Sequence, residues 1–171
     1  MDSRQPVRRG KPRSAAQGAS AEAPLTARPG FLLRRLHQIH VALFLEECAE
    51  FGITPVQYSV MTVLTVQGTL DQAALAREVG IDRANATDVV RRLEERDLLS
   101  RTSGDHDNRV KLCTLTAVGV ALTQRMQAAV ERAHERTVEG LPPRERKAFL
   151  ASLQRLVESN NDMGRTKLRL R

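Results

Sequence analysis

From residue 29 onward, apolar residues recur every three or four positions along most of the chain, and that period predicts helices. In FLLRRLHQIHVALFLEECAEF, Leu32, Leu33, Leu36, Ile39, His40, Leu43, Phe44 and Phe51 make an apolar face too wide for a helix lying on one surface. Such a helix has to be covered from two sides. Gly52 ends it, and Thr54-Pro55-Val56-Gln57 is a capping-box start with Pro at the first helical position. The next helix, PVQYSVMTVLTVQ, carries Tyr58, Val60, Met61, Val63 and Leu64 and stops at Gly68. Residues 71–99 then divide into two short helices. Asp71 caps the first, with Leu75, Ala76 and Val79 on one side and Gly80 where a left-handed C-cap wants no Cβ. Asp82 caps the second, with Ala86, Val89, Val90 and Leu93 as its buried stripe. After them the period drops to two. Residues 98–102 and 110–115 read as short strands joined by a loop of turn formers, Ser103-Gly104-Asp105-His106-Asp107-Asn108-Arg109. Thr116 caps a second long helix, running to about residue 139 with Val118, Ala121, Leu122, Met126, Ala129, Val130 and Ala133 as its repeat. Gly140-Leu141-Pro142-Pro143 breaks it, and RERKAFLASLQRLVESNN presents Phe149, Leu150, Leu153, Leu156 and Val157 on a last helix.

Ala76, Gly80, Ala86 and Val89 have the spacing of a helix-turn-helix, in which two helices cross closely and the second enters a DNA major groove. A hairpin directly after it is a wing. The fold expected is mostly α with a small β-wing: a winged helix-turn-helix (54–116) between an N-terminal dimerisation helix (29–53) and C-terminal dimerisation helices (117–161). The apolar faces at the two ends exceed what one protomer can cover, so a homodimer is the economical arrangement.

Composition sharpens this in two ways. Aromatic residues are 3% of the 171 and Trp is absent, so the core has to be aliphatic and helical. The net charge of +7 sits at the ends: +4 in residues 1–29 and +3 in 162–171, while the body between is neutral, 17 against 17. A basic arm (1–28), too poor in large apolar residues to order itself, and a basic tail (162–171) can add salt-sensitive attraction to phosphate or can be solvated extensions without a partner. Bulk charge is no evidence of specific DNA binding. Cys48 and Cys113 show no paired spacing, the opening residues lack the apolar core of a signal peptide, and no apolar run reaches membrane-spanning length. A cytoplasmic protein with no membrane partner is expected. No nucleophile elbow, phosphate loop, carboxylate pair or metal set points to an enzyme.

Over about residues 30–161 the chain resembles the MarR family of transcriptional regulators, on LAREVGIDRANATDVVRRLEERDLL, the wing DHDNR and LCTLTAVG. The family's Asp-x-Arg of the wing and Leu-Thr of the next helix fall on Asp107, Arg109, Leu115 and Thr116. Two positions depart from its pattern: Asp97 stands where a Gly commonly closes the recognition helix, and Asp88 puts an acid where a basic or neutral group is usual. The resemblance implies a homodimeric repressor on a pseudo-palindromic operator of double-stranded DNA, its two recognition helices about 34 Å apart. Candidate contacts are Arg83, Asn85, Thr87, Asp88, Arg91 and Arg92 on the recognition helix, with Arg109 for the minor groove, Asp107 orienting it and Lys111 on the flank. The plainer reading of that face is solvated, with Asp88 paired to Arg91 or Arg92. Residues 83–111 hold seven basic and six acidic side chains, so binding would rest on a few placed arginines.

Family ligands are small aromatic acids bound where the dimerisation helices meet the winged module. Here that region holds His37 and His40, one turn apart, with Arg34, Gln38 and Tyr58 nearby. LLRRLHQIHVALFLEEC also resembles regulators of nicotinate and other aromatic-acid breakdown. The expectation is a small aromatic carboxylate effector and no cofactor. The alternatives are a winged-helix protein-interaction module, a zinc-responsive regulator using His37 and His40 with Cys48 or a Glu, and a redox regulator using Cys48, although an apolar helix raises a thiol's pKa.

Overall fold

The structure, a computed structural model, describes residues 24–103, 110–164, 166 and 168. Its helices are α1 (Pro29–Glu47), α2 (Pro55–Gln67), α3 (Gln72–Val79), α4 (Arg83–Glu94), α5 (Ala117–Val138) and α6 (Pro143–Ser159). Three antiparallel strands, β1 (Leu70–Asp71), β2 (Leu99–Ser103) and β3 (Lys111–Leu115), form a sheet in the order β1-β3-β2.

Local chemistry fixes most of these boundaries. Thr54 and Gln57 exchange both bonds of a capping box at the start of α2. The Asp71 carboxylate accepts from the Ala74 amide at 2.7 Å, and Asp82 accepts from Asn85 N at 2.9 Å. Gly80 closes α3 with φ +75°, the left-handed value that favours glycine. Asp97 adopts φ 55°, so the missing glycine there leaves the left-handed turn intact. The Thr116 hydroxyl caps α5 through Gly119 N at 3.0 Å and donates to the Asp97 carbonyl at 2.6 Å, which ties α5 to the end of the helix-turn-helix.

The core lies where α2, α3, α4 and the inner ends of α1 and α5 converge. Phe44, Ile53, Val60, Met61, Leu75, Val90, Leu93, Leu99, Cys113 and Met126 are fully buried there. α5 runs along α1, and Arg136 clasps Glu46 and Glu47 while Arg132 holds Glu47 at 2.8 Å.

Several expectations need correction. The first long helix is not continuous to Phe51: it stops at Glu47 and a separate 3-10 turn, Ala49–Phe51, follows. Another such turn at Leu25–Ala27 puts regular structure a few residues before the expected start at 29; the rest of the expected basic arm, 1–23, lies outside the described residues. The wing is not a plain hairpin, because Leu70 pairs with Cys113 and Asp71 with Leu112, joining the entry of α3 to the wing. Of the apolar α1 face only Phe44 is buried, and Leu32, Leu33 and Ile39 remain exposed. α6 buries no residue at all. Among the described residues no helix is long and apolar enough to cross a membrane.

Candidate nucleic-acid interface and ligand cavity

The polar face of α4 is set by its cap and its stripe. With Ala86, Val89, Val90 and Leu93 buried, Arg83, Asn85, Thr87, Arg91 and Arg92 are driven outward. Arg83 and Thr87 line a cleft of about 480 Å³ with Asp71, Gln72 and, from the wing, Val110 and Lys111. Lys111 Nζ donates to Ser103 Oγ across the wing at 2.9 Å. Thr87 Oγ1 donates to the Arg83 carbonyl at 2.8 Å and accepts from Gln72 Nε2 at 2.7 Å, bracing α4 on α3. Asn85 Nδ2 donates to Asp82 Oδ2 at 2.8 Å. The expected wing-tip residues Asp107 and Arg109 lie outside the described residues.

Further along α4 the arginines are held by acids. Arg91 binds Asp88 at 2.6 Å and Glu95 at 2.5 Å, and Arg92 binds Asp88 at 2.9 Å. This is the paired geometry of the plainer sequence reading. Above all the Arg91 guanidinium, with Arg92 beside it, holds the Asp88 carboxyl below the usual carboxylate range. Arg101, on the wing flank in sequence, donates to the Glu94 carboxylate through Nε at 2.8 Å and through its terminal nitrogen. It fastens β2 to the end of α4 and is occupied there.

The end of the molecule built from α1, α5 and α6 holds a second space. A cavity of about 690 Å³ lies between α1, α5 and α6, walled by Leu33, Leu36, Val138, Phe149, Leu150 and Leu153, with His37, His40, His134, Glu135, Thr137 and Arg146 as its polar members. The expected ligand set is split by the fold. His37 and His40 reach this cavity, but Arg34 stacks over Phe31 at 5.4 Å and Gln38 accepts from Arg35 at 3.0 Å. Tyr58 packs on Phe44, ring centroids 6.0 Å apart, and lines a neighbouring cleft of about 400 Å³. His134 borders both spaces. His134, Thr137 and Arg146 escape a sequence reading because only the approach of α5 and α6 to α1 assembles them.

Hydrogen bonding at Thr137 selects the Nδ1–H tautomer of the neutral His40 ring. Thr137 Oγ1 gives its proton to the Ala133 carbonyl at 2.7 Å, so at 2.9 Å it accepts from His40 Nδ1–H. The Nε2 of the neutral ring is left as an acceptor. Burial, then the nearby His134, stacked 5.5 Å away, and His37 lower the His40 pKa below its ordinary value.

Neither cysteine sits in an activating environment. Cys48 is buried and its pKa is raised by burial and by Glu47; burial pushes Cys113 up to about 11. Among the described residues no three His, Cys, Asp or Glu side chains come together as metal ligands.

Comparison with known proteins agrees with this architecture. Residues 53–111 match the MarR family model. The transcriptional repressor NicR of Pseudomonas putida is 29% identical over 140 residues, covering 82% of this chain and 89% of the relative. Bordetella bronchiseptica BpsR, solved in a study of how 6-hydroxynicotinic acid regulates its DNA binding, is 33% identical with a TM-score of 0.74 over 78% of this chain and 96% of its own. PcaV of Streptomyces coelicolor, solved with its natural ligand, is 31% identical with a TM-score of 0.74 over 81% of this chain and 97% of its own. Helix order, wing and the similarity to BpsR and PcaV over 78% and 81% of this chain agree, and the chain belongs to the MarR family as a transcriptional regulator rather than an enzyme.

Proposed function

We propose that the protein is a homodimeric repressor that places α4 in the major groove of a pseudo-palindromic operator and lets go when a small aromatic carboxylate occupies the α1-α5-α6 cavity. The observation that carries the reading is the pairing of an exposed α4 face, fronting an open cleft with Arg83 and Lys111, with a separate, largely apolar cavity that holds His40 and Arg146. Arg83, Asn85 and Thr87 at the start of α4 meet base edges, Arg91 and Arg92 stay paired with Asp88 and Glu95 beside them, and Asp107, Arg109 and Lys111 serve the wing. Support for the dimer is the exposed apolar surface of α1 and α6: Leu32, Leu33 and Ile39 on one, Leu150, Leu156 and Val157 on the other. Solvated alone, these helices would lack the burial that stabilises short amphipathic segments.

For the effector, a ring fits between the Leu33, Leu36 and Phe149 walls. Its carboxylate meets Arg146 or His37, and a ring hydroxyl or N–H donates to His40 Nε2. The regulation of BpsR by 6-hydroxynicotinic acid favours a hydroxylated aromatic acid of that kind. An effector relieves repression through its differential affinity for the DNA-unfit arrangement of the two protomers. Burial of Cys48 and the lack of a third metal ligand among the described residues argue for this reading over redox or zinc control. The test is release of the protein from the promoter region beside its own gene by hydroxynicotinic and hydroxybenzoic acids. His40→Ala should blunt the response while leaving DNA affinity in place; an unchanged response refutes the cavity as the effector site.

A further inference from the structure

Thr87 stands on the exposed face of α4, one turn beyond Arg83, and its hydroxyl is already engaged within the protein. A threonine hydroxyl has one proton to give and two lone pairs. The proton of Thr87 Oγ1 goes to the Arg83 carbonyl at 2.8 Å, and one lone pair takes Gln72 Nε2 at 2.7 Å. No donor is left for guanine O6 or N7, adenine N7 or thymine O4, the acceptors of the major groove. The group that the side chain still offers to a base is its Cγ2 methyl. In the major groove a methyl belongs to thymine alone, at C5. Gln72 opens α3 and so lies outside the recognition helix. In a helix, Thr divides between two χ1 rotamers that both let Oγ1 bond the preceding turn, and they carry Cγ2 to different places. The second bond, from Gln72, distinguishes the two. Asp71 fixes Gln72 in turn: its carboxylate caps α3 through Ala74 N at 2.7 Å, and Asp71 pairs with Leu112 of the wing. Gln72 and Thr87 line one cleft with Arg83 and Lys111.

We propose that Thr87 is a specificity-determining residue that recognises one thymine in each operator half-site through its methyl group rather than its hydroxyl, with Gln72 as the positioning residue that fixes its rotamer. The inference rests on the DNA-binding reading above and names a base that this reading leaves open. Neighbouring side chains have different chemistry to offer. Arg83 carries N–H donors, and Asn85 Nδ2 keeps one N–H beyond its bond to Asp82, so both suit polar base edges and are indifferent to the thymine methyl. Four residues of helix advance about 6 Å, or roughly two base-pair steps, so the thymine lies within about two pairs of the base that Arg83 meets. Ala84 also exposes a methyl on α4, and substitution tells the two apart. Contact between two methyl groups hides about one methylene of surface, which corresponds to about fourfold in affinity per half-site.

The experiment measures affinity of the full-length protein by fluorescence anisotropy on the duplex it protects beside its own gene, with each symmetric pair of thymines replaced in turn by deoxyuridine. Uracil keeps every hydrogen-bonding group of thymine and lacks only the methyl. At one symmetric position wild type should lose about fourfold per half-site, or ~16-fold for the pair. Thr87→Ser, which keeps the hydroxyl and drops the methyl, should bind the thymine and uracil duplexes alike at that position. Thr87→Val, which keeps a methyl there and drops the hydroxyl, should retain the wild-type ratio of the two duplexes whatever its absolute affinity. Gln72→Ala should about halve that ratio with the thermal midpoint unmoved, because the two rotamers are then shared. A flat uracil scan in wild type overturns the thymine contact. Sensitivity that survives Thr87→Ser assigns the methyl to another residue, Ala84 among them, and sensitivity lost in Thr87→Val returns recognition to the hydroxyl; either overturns the role of Thr87. An unchanged ratio in Gln72→Ala overturns its positioning role. Wild-type protein that protects no promoter sequence overturns the DNA reading itself, and the thymine contact with it.

Discussion

Replacing Asp88 by Asn separates two uses of the recognition helix that make opposite demands on one carboxylate. Oδ1 of Asp88 takes Arg91 at 2.6 Å and Oδ2 takes Arg92 at 2.9 Å, while Arg91 has a second partner in Glu95. With both oxygens engaged, Asp88 acts as a restraint on two guanidiniums rather than as an acceptor for cytosine N4. Neutralising it releases Arg92 and leaves Arg91 with Glu95 alone, which makes up to two further cations per protomer available to phosphates. At about 0.9 in salt slope per contact, a dimer steepens by as much as ~3.6, and affinity at low salt rises on operator and unrelated DNA alike. A base-reading Asp88 gives the reverse: a loss of about fivefold to over a hundredfold on the operator, confined to one base-pair position, with the slope unmoved. Anisotropy titrations of Asp88→Asn on both duplexes across a salt series decide the matter. Exposed helical ion pairs add little to stability, so the thermal midpoint should stay near that of wild type and serve as the folding control. An unchanged slope with a loss restricted to the operator would refute the restraint.

Other consequences follow from packing and titration. Gly119 sits so close to the wing junction that a Cβ would overlap the Leu98 carbonyl and come 3.2 Å from Leu115 Cδ2; Gly119→Ala should cost about 3 kcal/mol and lower the melting midpoint by roughly 6 °C or more, measured by circular dichroism. Asp97 at φ 55° should tolerate Gly with no loss of stability, whereas Asp97→Val should cost about 1 kcal/mol or more in denaturant unfolding. His40 is harder to protonate in the folded chain than at its ordinary 6.5, so its contribution is complete above that pH and is lost as pH falls below 6.5 through the lowered folded value; His40→Gln should flatten the loss in thermal melts from pH 7.5 to 5. Both cysteines should resist iodoacetamide at pH 8 until the protein is unfolded, as intact-mass measurements would record.

The parts legible in the sequence were those fixed by neighbours a few residues apart. Caps at Thr54, Asp71, Asp82 and Thr116 depend on a side-chain oxygen and an amide three residues on, and Gly80 on a single backbone angle. Leu70–Asp71 was missed as a strand because two residues carry no period, and its partner Cys113 is remote in sequence. The pairing of Arg101 with Glu94 was not legible because the two lie on different elements. The candidate set drawn from α1 and α2 does not include His134, Thr137 and Arg146, which other helices bring up to His37 and His40 as lining of the same cavity. Asp97 stands where glycine was expected, yet Asp is among the residues whose short polar side chain tolerates the left-handed region. Sequence placed the helix-turn-helix well and the cavity only in outline, since a cap is local chemistry and a cavity is tertiary.

The central claim is that this winged helix reads DNA as a symmetric pair, and nuclease footprinting on the promoter region beside its own gene tests it most directly. The expected result is one protected stretch, resistant to competitor DNA, built of two inverted half-sites whose centres lie about 10 base pairs apart, or a multiple of that, and relieved by a hydroxylated aromatic acid. A single unsymmetrical half-site, or no protection there or at neighbouring promoters once competitor is present, would contradict it.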